Sequence, residues 1–242
     1  MASGDDLPRP PPLRVLVFSK TTGFRHDSIP AGISAISALG APTGLFVVDA
    51  TEDAESAITP ASLSRYKTVL FLHTTGLDLL NDDQIAALKG YVRNGGGFVG
   101  VHAAASGMKG DEWYGKLVGV HFDFHPEPEE GTVVVEDPGH FITSSGPHAC
   151  ANTTRRWTDE WYNFLTHPRK NENLHILGRG DPSTFAGGAM GDDHPLMWCQ
   201  EFDGGRSFYT ALGHYGEAYQ DEWFMGQILR AILWTAQIEG TV

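Results

Sequence analysis

Cysteine is nearly missing: only Cys150 and Cys199 occur in 242 residues. Two thiols make neither a disulfide framework nor a four-thiolate zinc site. No apolar run reaches the roughly 18 residues of a transmembrane helix, and residues 1–12 lack the basic start and apolar stretch of a secretory signal. Those twelve residues, rich in proline and acid, read as a disordered tail, and the expected location is the cytoplasm. Basic residues are also short, with 17 Lys and Arg against 30 Asp and Glu, a formal net charge of −13 at pH 7. Such a field repels phosphate backbones and anionic lipid surfaces, so neither nucleic acid nor a membrane is an expected partner. A neutral or cationic small molecule fits better. Repeats, low-complexity tracts and interior linkers are absent from residues 13–238, which read as one domain.

Core-forming residues are plentiful. Apolar residues make up 41% of the chain and charged residues 19%, which excludes a disordered polymer. The 6 Trp and 13 Phe would fill a dimer interface as readily as a core, so a homo-oligomer stays open. The first half alternates short apolar runs with segments of helical period, the pattern of a parallel sheet with crossover helices. Strands are expected at 14–19, 44–49, 68–73 and 97–102. Helices are expected at 28–39, where Ser28 is placed to cap, and after Asn81, with Ile85, Leu88 and Val92 on one face and Gly95 to Gly97 as the stop. Beyond Asp111 the pattern becomes elaborate: a helix at 113–118, strands at 132–135, 174–177, 196–202 and 207–212, and a closing helix at 221–236. The fold class is therefore α/β, a parallel sheet flanked by helices with an elaborated second half.

Histidine is abundant, with 11 in the chain. Ligands of open parallel sheets bind beyond the carboxyl ends of the strands, and three imidazoles fall there. His26 follows the first strand, while His73 and His102 end the third and fourth. The run Gly100-Val-His-Ala-Ala104 has the strand-to-helix form of a nucleophile elbow, but its centre is an imidazole rather than a hydroxyl or thiol. Both cysteines read as small buried hydrophobes, so thiol catalysis is not expected. In the run His121-Phe-Asp-Phe-His125 an extended backbone would put His121, Asp123 and His125 on one face, a set that suits either a metal or a wet strand face. Asp159-Glu-Trp-Tyr162 sets acids beside aromatic rings, an arrangement suited to sugars, whose C–H faces pack on rings and whose hydroxyls donate to carboxylates. His194 and His214 sit at turns beside later strands. His140, His148, His167 and His175 read as surface residues.

Taken together, residues 23–29 (Gly-Phe-Arg-His-Asp-Ser-Ile), 94–104 (Asn-Gly-Gly-Gly-Phe-Val-Gly-Val-His-Ala-Ala), His125-Pro126, 159–164 (Asp-Glu-Trp-Tyr-Asn-Phe), Asp193-His-Pro195 with Trp198, and 204–214, which end in Leu-Gly-His214, resemble the ThuA-like (trehalose utilisation) family. The resemblance spans about Leu13 to Ala236. It implies a flavodoxin-like fold, similar to class I glutamine amidotransferases but without their thiol nucleophile. It also implies a role in the breakdown of a disaccharide or glycoside, beside oxidoreductases that make 3-keto sugars. Carried over by position, the family motifs fall on His26, His102, His125, Glu160, His194 and His214.

A chemistry follows from that implication. In a 3-keto glycoside such as 3-keto-trehalose the C–H beside the carbonyl is acidified, and a histidine of ordinary pKa near ~6.5 can remove the proton at neutral pH. Reprotonation of the enediolate isomerises the ketone, and loss of the anomeric leaving group cleaves the glycoside. The expected catalytic set is His102 as base, His125 and His214 at the carbonyl or leaving oxygen, and Glu160 on hydroxyls. His26, His73, His194, Tyr162 and Trp198 are the expected substrate-binding set. No cofactor is assigned, and a divalent metal bridging some of these histidines is an open option with no ligand set assigned. The competing reading is a non-catalytic sugar- or metal-binding module of the same fold.

Overall fold

Predominantly apolar runs place most of the first, third and fourth strands inside the molecule. In the computed structural model, which describes residues 12–144 and 153–239, the chain begins with β1 (Leu13–Phe18), α1 (Ile29–Thr43) and β2 (Phe46–Thr51). Two single-turn helices, α2 (Ala54–Ala57) and α3 (Pro60–Leu63), lead to β3 (Thr68–Leu72), α4 (Asp82–Arg93) and β4 (Gly97–Val101). Every side chain of β3 and β4 is buried, as expected of strands covered on both faces.

The elaborated half contains α5 (Glu112–Val118), β5 (Phe122–Phe124), β6 (Glu129–Val135), β7 (Thr154–Asp159), β8 (Asn163–Phe164), β9 (His175–Gly180), β10 (His194–Phe202) and β11 (Gly205–Thr210). The helix α6 (Glu222–Thr235) closes it. Among the described residues one sheet has the order β2-β1-β3-β4-β11-β10-β9-β6-β7, and β5 pairs separately with β8. The first five strands are parallel and the rest antiparallel. The parallel part is flavodoxin-like. Its chain runs from β1 to β2 on one side and to β3 on the other, so a crevice opens at the carboxyl ends of β1 and β3. The fifth parallel position is filled by β11, which arrives only after the whole elaborated half.

Local chemistry explains most boundaries. Asn81 and Gln84 form a reciprocal capping box at the start of α4. The glycine stop after α4 also serves packing: a Cβ on Gly96 would lie 2.4 Å from the Tyr91 ring, and one on Gly97 2.5 Å from the Thr235 carbonyl. Two expectations need correction. Gly44 does not start the second strand; α1 continues past Leu39 to Thr43 and ends on Gly44 with φ 64°. Ser28 does not cap α1, because its Oγ turns to His73 Nε2 at 3.3 Å instead. At the other end of the chain Asp221 caps α6 by accepting from Trp223 and Phe224. The apolar side of α6, with Phe224, Ile228, Ala231 and Ile232, is buried, and the helix packs against β3, β4, β11 and α1. One continuous cluster of buried residues joins both halves, from Val17 and Leu70 to Trp161 and Met197. No helix among the described residues is long and apolar enough to cross a membrane.

Candidate functional site

The two strand-end histidines share an uncommon backbone. His73 and His102 each have φ 52°, a left-handed conformation that costs a side-chain-bearing residue about 1–3 kcal/mol and tends to persist at functional turns. At His102 it converts β4 into a 3-10 turn, His102–Ser106, and so produces the elbow geometry with an imidazole at its centre. The β1 loop adds His26, whose ring lies 4.6 Å from that of His73, 5.0 Å from His102 and 5.2 Å from His214.

One carboxylate organises the cluster. Glu160, one residue past β7, places Oε2 3.1 Å from His102 Nε2 and 3.2 Å from His214 Nδ1. Its Oε1 lies 3.3 Å from His125 Nε2. Tautomers can be read from the outer bonds. His102 Nδ1–H donates to the Ala211 carbonyl at 2.6 Å, so Nε2 carries the lone pair, toward which the Tyr162 hydroxyl donates at 2.9 Å. His125 Nδ1–H donates to the Pro126 carbonyl at 2.8 Å, which likewise directs a free Nε2 into the cluster.

Asp159 is the buried clamp beneath the site. Only 1% exposed, it accepts from Trp157 Nε1, from the Glu160 amide, and from the Gly213 and His214 amides at 2.8 and 3.3 Å. Gly213, with φ 113°, lets the turn after β11 bend into that carboxylate. Sequence reasoning missed this role because the clamp joins segments 54 residues apart.

Burial sets the electrostatics. Burial opposes the charge on Glu160, but the imidazoles of His102 and His214 beside it outweigh burial and hold the carboxyl well below its usual range. Burial pushes His26 down to about 3, assisted by the charges of His102 and His214. His73 is likewise lowered, first by burial and then by His102. For His214 burial is also the largest influence and works against the proton, yet Glu160 reverses it and raises the pKa.

These donors sit at the carboxyl ends of β1, β3, β4 and β11, in the crevice that the strand order creates. Across residues 14–235 the chain matches the family model described as ThuA, trehalose utilisation. The chain belongs to the ThuA family. Two solved ThuA-like proteins share the fold of this ThuA chain. The one from Bacteroides uniformis ATCC 8492 has TM-score 0.71 and 21% identity, covering 97% of this chain and 95% of that one. The one from Parabacteroides merdae ATCC 43184 has TM-score 0.73 and 19% identity, covering 93% and 90%. A cytoplasmic protein from Salmonella typhimurium LT2 matches with TM-score 0.63 and 14% identity, covering 92% and 99%. Comparison with curated proteins gives no significant match.

The ThuA site does not gather every expected residue. His26, His73, His102, His125, Glu160 and His214 converge, and the side chain of His102 is wholly enclosed rather than presented at the surface. The rings of His26, Tyr162 and His214 cover it. The exposed members are His125, at 35%, and His214, at 18%. Trp198 stands apart in the core, where Nε1–H donates to the Val118 carbonyl and the ring packs on Phe164 and Tyr209. Tyr162 is buried as well, a partner of His102 rather than a surface platform. His194 lies behind it, donating from Nε2 to the Tyr162 carbonyl. Trp161 of the same motif stacks on Phe185 at 4.2 Å in the core. The face of His121, Asp123 and His125 does not form a donor set, because His121 turns to the Ala105 carbonyl and Asp123 is exposed.

His175 is exposed as expected, but His140 and His167 are half-buried: His140 Nδ1 accepts from the Ile142 amide, and His167 bonds the Asp193 carbonyl. Cys199 is buried, as expected, and burial pushes its thiol up to about 12. Cys150 and His148 lie outside the described residues. Two exposed aromatics that sequence reasoning passed over, Phe24 at 69% and Tyr215 at 37%, pack edge-on against His26 and His214. Their signal was adjacency to a site histidine. A cleft of about 460 Å³ is lined by Tyr215 together with Trp157 and Glu217. A second cleft, about 630 Å³, lies at the amino ends of β3 and β4 beside Tyr66 and Gly96 and contains no histidine.

His194 gives a pH prediction remote from the cluster. Burial lowers it to about 4, whereas the unfolded chain takes up that proton near its ordinary ~6.5. Between those values the unfolded state binds more protons, so stability is complete above about pH 6.5 and falls as pH drops toward 4. His121 and His140, also lowered mainly by burial, act in the same direction. Urea midpoints are expected to decline from pH 7 to pH 4.5, and the decline is expected to be shallower in His194→Gln.

Proposed function

We propose that this chain is a carbohydrate-processing enzyme acting on an oxidised disaccharide or glycoside, a 3-keto sugar such as 3-keto-trehalose. The family's trehalose-utilisation description supports a carbohydrate role. The observation that carries the chemistry is the convergence of His102, His125 and His214 on one carboxylate, with no thiol or hydroxyl nucleophile at the elbow. Such a set is equipped to move protons.

His125 is the proton carrier in this reading, in place of the enclosed His102. Its Nδ1–H is anchored on Pro126, its Nε2 lone pair faces the site, and the ring is open to solvent. Nε2 takes the proton from C2, beside the C3 carbonyl, and the C–H electrons form the enediolate. The resulting imidazolium is held by Glu160 Oε1. Return of the proton to carbon gives an isomer or epimer. Alternatively the C3 carbonyl re-forms, a C1–C2 double bond develops, and the glycosidic oxygen departs from C1 with the proton from His125. Phe24 and Tyr215 offer ring faces to the sugar C–H surface, and the cleft beside Tyr215 is large enough for the second sugar unit.

Incubation with 3-keto-trehalose, and in parallel with unoxidised trehalose, tests the reading. Isomer or monosaccharide from the keto sugar alone is expected. Calorimetric binding of the keto sugar without any product would replace it with the non-catalytic module.

A further inference from the structure

We infer that His26, His102, His214 and Glu160 form a binding site for one divalent first-row transition-metal ion. These four residues come from separate segments: the β1 loop, the end of β4, the turn after β7 and the turn after β11. One donor atom from each lies within 4.8 Å of all the others. An ion with bonds of about 2.1 Å sets tetrahedral donors about 3.4 Å apart, so a small contraction closes the set. Three imidazoles with a single carboxylate favour ions such as Zn²⁺, Co²⁺ or Mn²⁺ over the all-oxygen coordination of Ca²⁺ and Mg²⁺.

Two further observations point to a ligand. The Nδ1 atoms of His26 and His214 are buried with no hydrogen-bond partner; His214 Nδ1 is 3.2 Å from Glu160 Oε2 but lacks the alignment of a hydrogen bond. Buried unpaired nitrogens are costly, and a cation in their midst removes the cost. The outer supports of a metal centre are also present. Ala211 fixes His102 through its other ring nitrogen, and Asp159 holds the Glu160 and His214 amides, the kind of second layer that orients metal ligands. Tyr219 and His73 pack beneath, 2.7 Å apart. His125 remains outside the donor set, free for proton transfer.

A role for the ion in turnover rests on the functional reading above, whereas the binding itself rests on geometry. The full chain, stripped with chelator and reloaded with Co²⁺, provides the test. A single equivalent by elemental analysis is expected, with visible ligand-field bands and a Tm rise of about 5–10 °C at ion concentrations about 100-fold above Kd. His26→Ala and His214→Ala should lose the bands, and His175→Ala, in an exposed residue outside the cluster, should keep them. No stoichiometric uptake and no Tm shift in the wild-type chain would overturn the site without recourse to any variant. Stoichiometric uptake with bands unchanged in His26→Ala and His214→Ala would overturn it as well. Metal-free protein that turns over the keto sugar refutes the ion's role in turnover alone; metal-bound protein that does not refutes the enzymatic reading alone.

Discussion

Glu160→Gln is expected to lower kcat/KM on a 3-keto glycoside by about 10²–10⁴-fold, the range for loss of acid–base function, while leaving the fold intact. Glutamine is nearly isosteric and still presents one carbonyl oxygen. It cannot carry the charge that meets His102, His214 and His125 within 3.3 Å. The imidazolium formed on His125 would lose its counter-ion, and His102 and His214 would lose the charge they face. Circular dichroism should match the wild type. A loss under about tenfold would show that the convergence on Glu160 is structural.

Asp159→Ala is expected to be the most destabilising single change near the site, by about 4 kcal/mol. Four N–H groups from two segments depend on this buried carboxylate. Each donor left buried and unpaired costs about 1–3 kcal/mol, and the costs add incompletely. In a chain of this size the Tm should fall by about 8–16 °C. Asp159→Asn, which keeps one acceptor oxygen, should fall between Asp159→Ala and the wild type. Chemical denaturation gives the comparison, and a change under about 1 kcal/mol in Asp159→Ala would contradict the clamp.

The parallel half of the fold was legible because its signals are local. β-branched and aromatic runs at 68–72 and 97–101 read as covered strands, and Asn81 followed by Asp82 and Asp83 marks a helix start. The histidines ending β3 and β4 were legible for the same reason: once the strands were placed, the imidazoles at their carboxyl ends were placed with them. The position of β11 was not, since joining the sheet beside β4 depends on everything between residues 102 and 204 folding out of the way.

Burial was the main thing the sequence concealed. Tyr162 reads as a sugar platform because an aromatic ring beside acids suits both a binding face and a core, and only packing separates the two; Trp198, placed in the substrate-binding set, is likewise buried. From sequence His102 reads as the exposed base because an elbow usually lifts its central side chain into solvent; in the fold His26, Tyr162 and His214 fill that space. Asp159 stood in a recognised motif, yet its role lies in amides 54 and 55 positions away. The proline after His125, by contrast, turned out to supply the carbonyl that orients the ring.

Proton abstraction beside the carbonyl is the central claim, and solvent exchange tests it most directly. In D₂O the wild-type chain should introduce deuterium at C2 of 3-keto-trehalose, seen by NMR in recovered substrate or isomer, and His125→Ala should abolish it. Recovery of the keto sugar with no deuterium, no isomer and no monosaccharide would contradict the account.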